Sequence, residues 1–280
     1  MPNIRLMVLR LRAFFWKQLW LLDRRCAAAA DFSPARQAIV ENNVETLRTL
    51  LSKGAHPDLR DSLHQWTLLH HAVSEDARAC VKLLLEVGAA VNARDSRGET
   101  PIFYAKSREV IECLVNHGAD LMVYSERGQY AFQHCAAYTR SVEVMEFWLE
   151  QDIPINHVPD FGWAALNAIP GMTYGNEGSK DKEGELRLVQ MLIAYGANVN
   201  LEDRWGTPLQ LACLNWHTHL IEPLIEAGAD PNLAASHSGA TPLHLAVMRR
   251  TEAAVQLLLK HGADVHQPDA YRNTPFDGSF

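Results

Sequence analysis

Thr241-Pro242-Leu243-His244-Leu245-Ala246 opens a unit that closes on Leu257-Leu258-Leu259-Lys260-His261-Gly262-Ala263-Asp264. The Thr241 hydroxyl can cap the free N–H groups of a helix start, and Pro242 falls at the first helical position, where its missing N–H costs nothing. A short helix is therefore predicted from Thr241. A second helix carries Val255, Leu257, Leu258 and Leu259 as one broad apolar stripe, and Gly262 suits the left-handed residue that ends it. Such a hairpin cannot hide its apolar face alone. Burying each Leu contributes about 1.5–3 kcal/mol, and ordering each residue costs a comparable amount. The unit needs neighbours of its own kind.

Those neighbours are present. The Thr-Pro position recurs at Ser33-Pro34, Thr67-Leu68, Thr100-Pro101, Tyr130-Ala131, Ala164-Ala165, Thr207-Pro208, Thr241-Pro242 and Thr274-Pro275. The helix-ending position recurs in phase at Gly54, Gly88, Gly118, Gln151, Gly196, Gly228 and Gly262. The steps lie close to a period of about 33 residues, and T-P-L-H-x-A is the signature of that period. Over about residues 33 to 277 the sequence resembles the ankyrin repeat family, with seven helix pairs and the start of an eighth. The resemblance implies an all-α ankyrin-repeat solenoid of stacked helix pairs with projecting hairpin loops. It also implies a non-catalytic scaffold or adaptor that binds a partner protein through a concave wall of inner helices and a row of hairpin tips.

Composition narrows the reading. The chain has 280 residues, 48% of them hydrophobic, enough for one continuous core spread along repeats. Cys26, Cys80, Cys113, Cys135 and Cys213 form no CxxC pair, and they read as reduced thiols of an intracellular, most simply cytoplasmic, protein. The chain holds 26 basic and 33 acidic side chains. Residues 1 to 25 contain six of the former (Arg5, Arg10, Arg12, Lys17, Arg24, Arg25) and one of the latter (Asp23), leaving 20 against 32 in the rest. An acidic array repels phosphate backbones, so nucleic acid is not an expected partner. A monomer without a cofactor is expected.

Residues 1–32 stand apart from the repeat domain at 33–280. In MPNIRLMVLRLRAFFWKQLWLL, Ile4, Met7, Val8, Leu11, Phe14, Phe15 and Leu22 share a helical face bordered by arginines and Lys17, and charges interrupt every window of membrane-spanning length. Three readings stand: a cap on the first repeat, an in-plane anchor giving peripheral membrane contact through residues 1–25, and a targeting peptide. Cys26 is a candidate for fatty acylation. Farther on, repeat three is about three residues short near Lys106-Ser107, which predicts a tighter turn. Repeat four has Tyr130-Ala131 for the cap pair and Gln151-Asp152 for the glycine pair, and is expected to be the least stable. Repeat five carries an insertion at about 170–184, PGMTYGNEGSKDKEG, read as a mobile loop before an outer helix over about Glu185 to Tyr195. Thr274-Pro275 begins an inner helix of which the sequence holds half.

A search for chemistry yields little. His70 and His244 occupy the histidine of T-P-L-H, where the family ties neighbouring repeats by hydrogen bonds; His117 and His261 precede a helix-ending glycine. His217 and His219 flank Thr218 beside Trp216, but two histidines without a third ligand nearby make a weak zinc signal, so no metal and no catalysis are expected. Candidate wall residues for partner binding are Ser74, Glu75, Tyr138, Arg140, Trp216, His217, Met248 and Arg249, because they follow the packed T-P-L-H-x-A segment. Candidate tip residues are Trp66, Arg94, Arg97, Arg127, Trp163 and Trp205, since Trp and Arg dominate interface energies. Asn92 and Asn200 follow Val91 and Val199 in a pattern similar to that of hydroxylated ankyrin asparagines. The competing reading is that their amides satisfy the turn.

Overall fold

The computed structural model describes residues 32–171 and 181–277. Residues 1–25, Cys26 and most of the 170–184 insertion, with the expectations attached to them, lie outside the described residues. The chain forms two compact units, one reaching to Ile102 and including Glu109–Asp120, the other made of Phe103–Arg108 and the residues from Leu121 onward.

In the first unit, α1 (Phe32–Val40) pairs with α2 (Val44–Ser52) and α3 (Leu68–Ser74) pairs with α4 (Arg78–Glu86); α5 (Arg108–Asn116) belongs to this unit from Glu109 on. The second unit contains the pairs α6 (Ala131–His134) with α7 (Val142–Leu149), α8 (Ala165–Gly171) with α9 (Lys182–Ala194), α10 (Pro208–Leu214) with α11 (Thr218–Glu226), and α12 (Pro242–Met248) with α13 (Glu252–Lys260). All helical segments are short, and none among the described residues is long and apolar enough to cross a membrane. Repeat three corrects the expected tighter turn: its connection before Arg108 is as long as that of repeat two, and the missing residues are taken from the inner helix, which is reduced to a single 3-10 turn, Pro101–Tyr104.

The same local chemistry starts each regular inner helix. The side chains of Thr67, Thr207 and Thr241 accept the N–H of the residue three positions on, and Pro208 and Pro242 open their helices. Every outer helix but that of repeat four closes through a left-handed glycine. Ala89 N–H bonds Leu84 O at 2.9 Å, Ala229 N–H bonds Leu224 O at 2.9 Å and Ala263 N–H bonds Leu258 O at 3.0 Å. Gly88, Gly228 and Gly262 have φ of +85°, +97° and +82°, yet a Cβ there would meet nothing within 4 Å. These positions require glycine for its backbone, not for space.

Between helices lies an apolar core, with Leu68, Leu69, Ala72, Cys80, Val81 and Leu84 fully buried in the first unit, and Leu209, Ala212, Cys213, Leu220, Ile221, Leu243 and Leu258 in the second. Burial pushes the Cys135 thiol up to about 12 and the Cys213 thiol higher still, so both are inert.

Two boundaries differ from expectation. Outer helix α9 begins at Lys182, because Asp181 accepts the Gly184 N–H at 2.9 Å and puts Glu183 and Glu185 in the first turn, where the helix dipole favours them. In repeat four, α6 runs into a π-helical turn, Cys135–Thr139, which leaves Arg140 in the left-handed region at φ +52°.

Candidate functional site

A forward hydrogen bond links repeats two, four, five, six and seven to the next hairpin. His70 Nδ1 accepts the Thr67 N–H at 3.1 Å, which assigns the proton to Nε2; that nitrogen donates to Glu99 O at 3.2 Å. His244 does the same with Thr241 and Asn273 O. In the second unit the slot three residues past the cap holds amides instead: Gln133 Nε2 donates to His157 O at 2.8 Å, Asn167 Nδ2 to Gly206 O at 2.8 Å, and Gln210 Nε2 to Leu233 O at 2.8 Å. The fixed offset from the cap was the signal for these three, and reading only histidines missed them.

Asparagines make a second ladder. Asn92 donates to Gly118 O and accepts the Asp120 N–H, both at 2.9 Å. Asn200 makes the matching pair with Gly228 O and the Asp230 N–H, as Asn232 does with Gly262 O and the Asp264 N–H. The amides of Asn92 and Asn200 thus bridge to the following repeat, a longer reach than the local turn bond expected of them.

The tip residues divide by environment. Trp66 packs inward: its indole N–H donates to Asp95 Oδ2 at 3.0 Å and its ring stacks on His70 and meets the edge of His71. Arg94 is exposed and donates weakly to Gly98 O, Arg97 is half-buried beside the Asp95 carboxylate that receives its backbone N–H, and Arg127 is exposed, its carbonyl accepting from Phe161. Trp163 and Trp205 stack at 5.4 Å, and Arg204 lies 4.9 Å over the Phe161 ring and 5.8 Å over Trp205. Phe161 and Trp205 remain 56% and 54% exposed. Four large side chains therefore gather on one tip surface of the second unit; Phe161 and Arg204 had escaped the sequence reading.

The wall residues divide as well. Tyr138 and Met248 are exposed, Tyr138 against the His134 ring at 4.4 Å. Trp216, left-handed at φ +61°, carries the Arg249 guanidinium at 4.4 Å over its ring, and Arg249 Nε donates to Leu214 O at 2.7 Å. Ser74 is half-buried and Glu75 exposed. Arg140 and His217 do not sit as wall residues. The His217 ring is buried, and the Arg140 guanidinium points at Glu185 and donates to Ile169 O at 2.8 Å.

Around Glu185 a polar cluster forms within the second unit. Its Oε1 pairs with Arg140, and its Oε2 accepts from His217 Nδ1 at 2.9 Å and from His219 Nε2 at 3.0 Å. Burial pushes the carboxyl up; the hydrogen bonds from both histidines and the neighbouring positive charges outweigh it and hold Glu185 well below the usual carboxylate range. Sequence reasoning sought a third ligand close to His217 and His219 in the chain. Glu185 lies 32 residues upstream and reaches them only through the packing of α9 on α11.

A family model described as "Ankyrin repeats (3 copies)" matches residues 35–125 and 180–269. Among curated proteins, the chain is similar to ankyrin repeat and SOCS box protein 16 of Homo sapiens, at 45% identity over 265 residues, covering 91% of this chain and 56% of that protein. It is 28% identical over 249 residues to the B-cell lymphoma 3 protein homolog of Mus musculus, covering 85% of this chain and 53% of that one. It is also 28% identical over 244 residues to the E3 ubiquitin-protein ligase KEG of Arabidopsis thaliana, covering 83% of this chain and 15% of that one. The chain thus spans about half or less of the length of these relatives. Among solved structures, the ankyrin repeat domain of Bcl-3 matches with a TM-score of 0.58 at 26% identity, over 81% of this chain and 97% of that one. An ankyrin repeat domain from Acinetobacter baumannii AYE matches with a TM-score of 0.55 at 29% identity, over 70% and 98%.

Proposed function

Because the chain belongs to the ankyrin repeat family, whose repeats are protein-interaction modules, we propose that it is a non-catalytic scaffold that captures a partner protein with hairpin tips of its second unit, flanked by inner-helix positions such as Tyr138 and Met248. The observation that carries this reading is the tip patch of Phe161, Trp163, Arg204 and Trp205. Exposed aromatic rings held in a fixed arrangement lose little entropy on binding, and a contiguous exposed apolar patch marks an interaction site. Arg204 stacks between two rings, so it presents its guanidinium edge for hydrogen bonds while its face is already packed. A partner with an acidic or carbonyl-rich rim around an apolar centre fits this surface. A stable complex would bury about 1,600 Å² in total.

The test compares affinity capture from native extract by the full chain and by Phe161→Ser/Trp205→Ser, with mass-spectrometric identification of the partner and far-UV circular dichroism as a fold control. Loss of the partner with unchanged ellipticity is expected. Undiminished capture by the double variant overturns the assignment.

A further inference from the structure

Glu185, His217 and His219 carry chemistry that partner binding leaves unused. We propose that they form a three-ligand site for a zinc-class divalent cation, which ties the first turn of α9 to the start of α11. Their ligating atoms all lie within 4.8 Å of one another, with one nitrogen of each ring within 3.0 Å of the same carboxylate oxygen. In a tetrahedral centre with metal–ligand bonds of about 2.0–2.2 Å, neighbouring donors stand about 3.3 Å apart. Each histidine nitrogen therefore needs to move only a few tenths of an ångström from the Glu185 oxygen, and the two rings, whose donors lie within 4.8 Å, need only settle to the same spacing from one another. Two imidazoles and one carboxylate favour zinc, cobalt and nickel over magnesium or calcium, which take oxygen.

The surroundings support the assignment. Arg140 occupies Oε1 of Glu185 and is itself fixed by Ile169 O, so it orients the carboxylate and leaves Oε2 directed at both histidines. His217 is fixed by its backbone, its N–H donating to Ala212 O at 3.0 Å and its carbonyl accepting from Leu220 at 2.9 Å. The side chains of Glu185 and His217 are each 2% exposed, whereas that of His219 is 17% exposed. The site is thus closed on two sides and reachable on the third, where a water would complete the coordination.

One feature sets the affinity. Among the described residues, His217 Nε2 and His219 Nδ1 are buried without a hydrogen-bond partner. In the metal-free form these are bare lone pairs; when the facing nitrogens bind an ion, the protons move to these unpartnered positions. Histidine ligands normally donate that proton to a second group, and loss of such partners weakens binding by about 10–100-fold. The site therefore binds zinc more weakly than one whose histidines have such partners.

The test uses the untagged full chain, stripped with chelator and titrated with Co²⁺, followed by displacement with Zn²⁺. The expected result is one equivalent giving the intense visible absorption of tetrahedral Co²⁺. That band should vanish in Glu185→Gln and in His219→Ala, and persist in the exposed control His237→Ala. Glu185→Gln keeps the side chain's shape, His219 is partly exposed, and circular dichroism checks both folds. A weak octahedral-type spectrum overturns the proposal. So does binding that Glu185→Gln and His219→Ala leave unchanged, which would mark adventitious capture by surface histidines.

Discussion

Repeat two and repeat four occupy the same kind of slot in the array and solve it differently. Repeat two has a Thr67 cap, a seven-residue inner helix, a left-handed Asp76 between its helices and a left-handed Gly88 at its end. Asp76 pairs there with the exposed Arg78. Repeat four has Tyr130 at the cap, with Gln133 Oε1 accepting the Tyr130 N–H at 3.0 Å, and its inner helix widens into a π turn before the left-handed Arg140. At its far end Gln151 stays out of the left-handed region, and the chain leaves by a different path. The slot that is solvated in repeat two thus aims a half-buried cation at the buried Glu185 in repeat four. Irregular repeats are where a uniform scaffold gains a distinct site, in keeping with the association of π turns with functional positions.

The comparison can be broken most forcefully at the shared core. Leu84→Asp in repeat two should cost more than about 4 kcal/mol and unfold its part of the array, since an unpaired charge would sit where the side chain is fully buried. A urea denaturation curve unchanged by it would refute the register. Next comes the polar slot. Glu185→Ala should cost about 3 kcal/mol by stranding Arg140, whereas Asp76→Asn, which keeps a residue suited to the left-handed backbone at φ +52°, should cost about 1 kcal/mol or less, because its ion pair with Arg78 is solvated.

A pH difference sharpens the contrast further. Burial, opposed by the bond to Glu99 O, lowers His70 from 6.5 to about 4. The folded state resists protonation, so this stability is fully present above pH 6.5 and is lost as pH falls from 6.5 through 4. The loss approaches about 3 kcal/mol. His70→Gln, which installs the residue that repeat four uses in the same slot, should flatten that part of the stability–pH profile, and a slope unchanged by it would place the acid sensitivity elsewhere.

The smallest effect is at the helix exits. Gly88→Ala should cost about 1–2 kcal/mol through its left-handed backbone alone, with Gly88→Asn costing less. Gln151→Gly should bring no gain, because that exit does not use a positive φ.

Reading the sequence in phase placed the helix pairs, since caps, first-turn prolines and terminal glycines act within a few residues. It placed fewer of the contacts. Thr67, Thr207 and Thr241 cap as their spacing predicts, and His70 and His244 tie repeats as the family resemblance implies. Trp66 and Trp163 each stand one residue before the cap position, yet one is locked to Asp95 and the other stacks on the 54% exposed Trp205. Asp95, which holds Trp66, and Trp205, which stacks on Trp163, each come from the next hairpin, and no rule of spacing specifies them.

What the sequence determined by itself was the repeating scaffold, because backbone hydrogen bonds at helix ends must be satisfied locally and the periodic apolar stripe must be covered by another copy of itself. Tertiary structure alone decided that Arg140, Glu185, His217 and His219 meet and that Phe161, Trp163, Arg204 and Trp205 share a surface. These side chains come from different repeats, and only the stacking of one helix pair on the next fixes the distances between them.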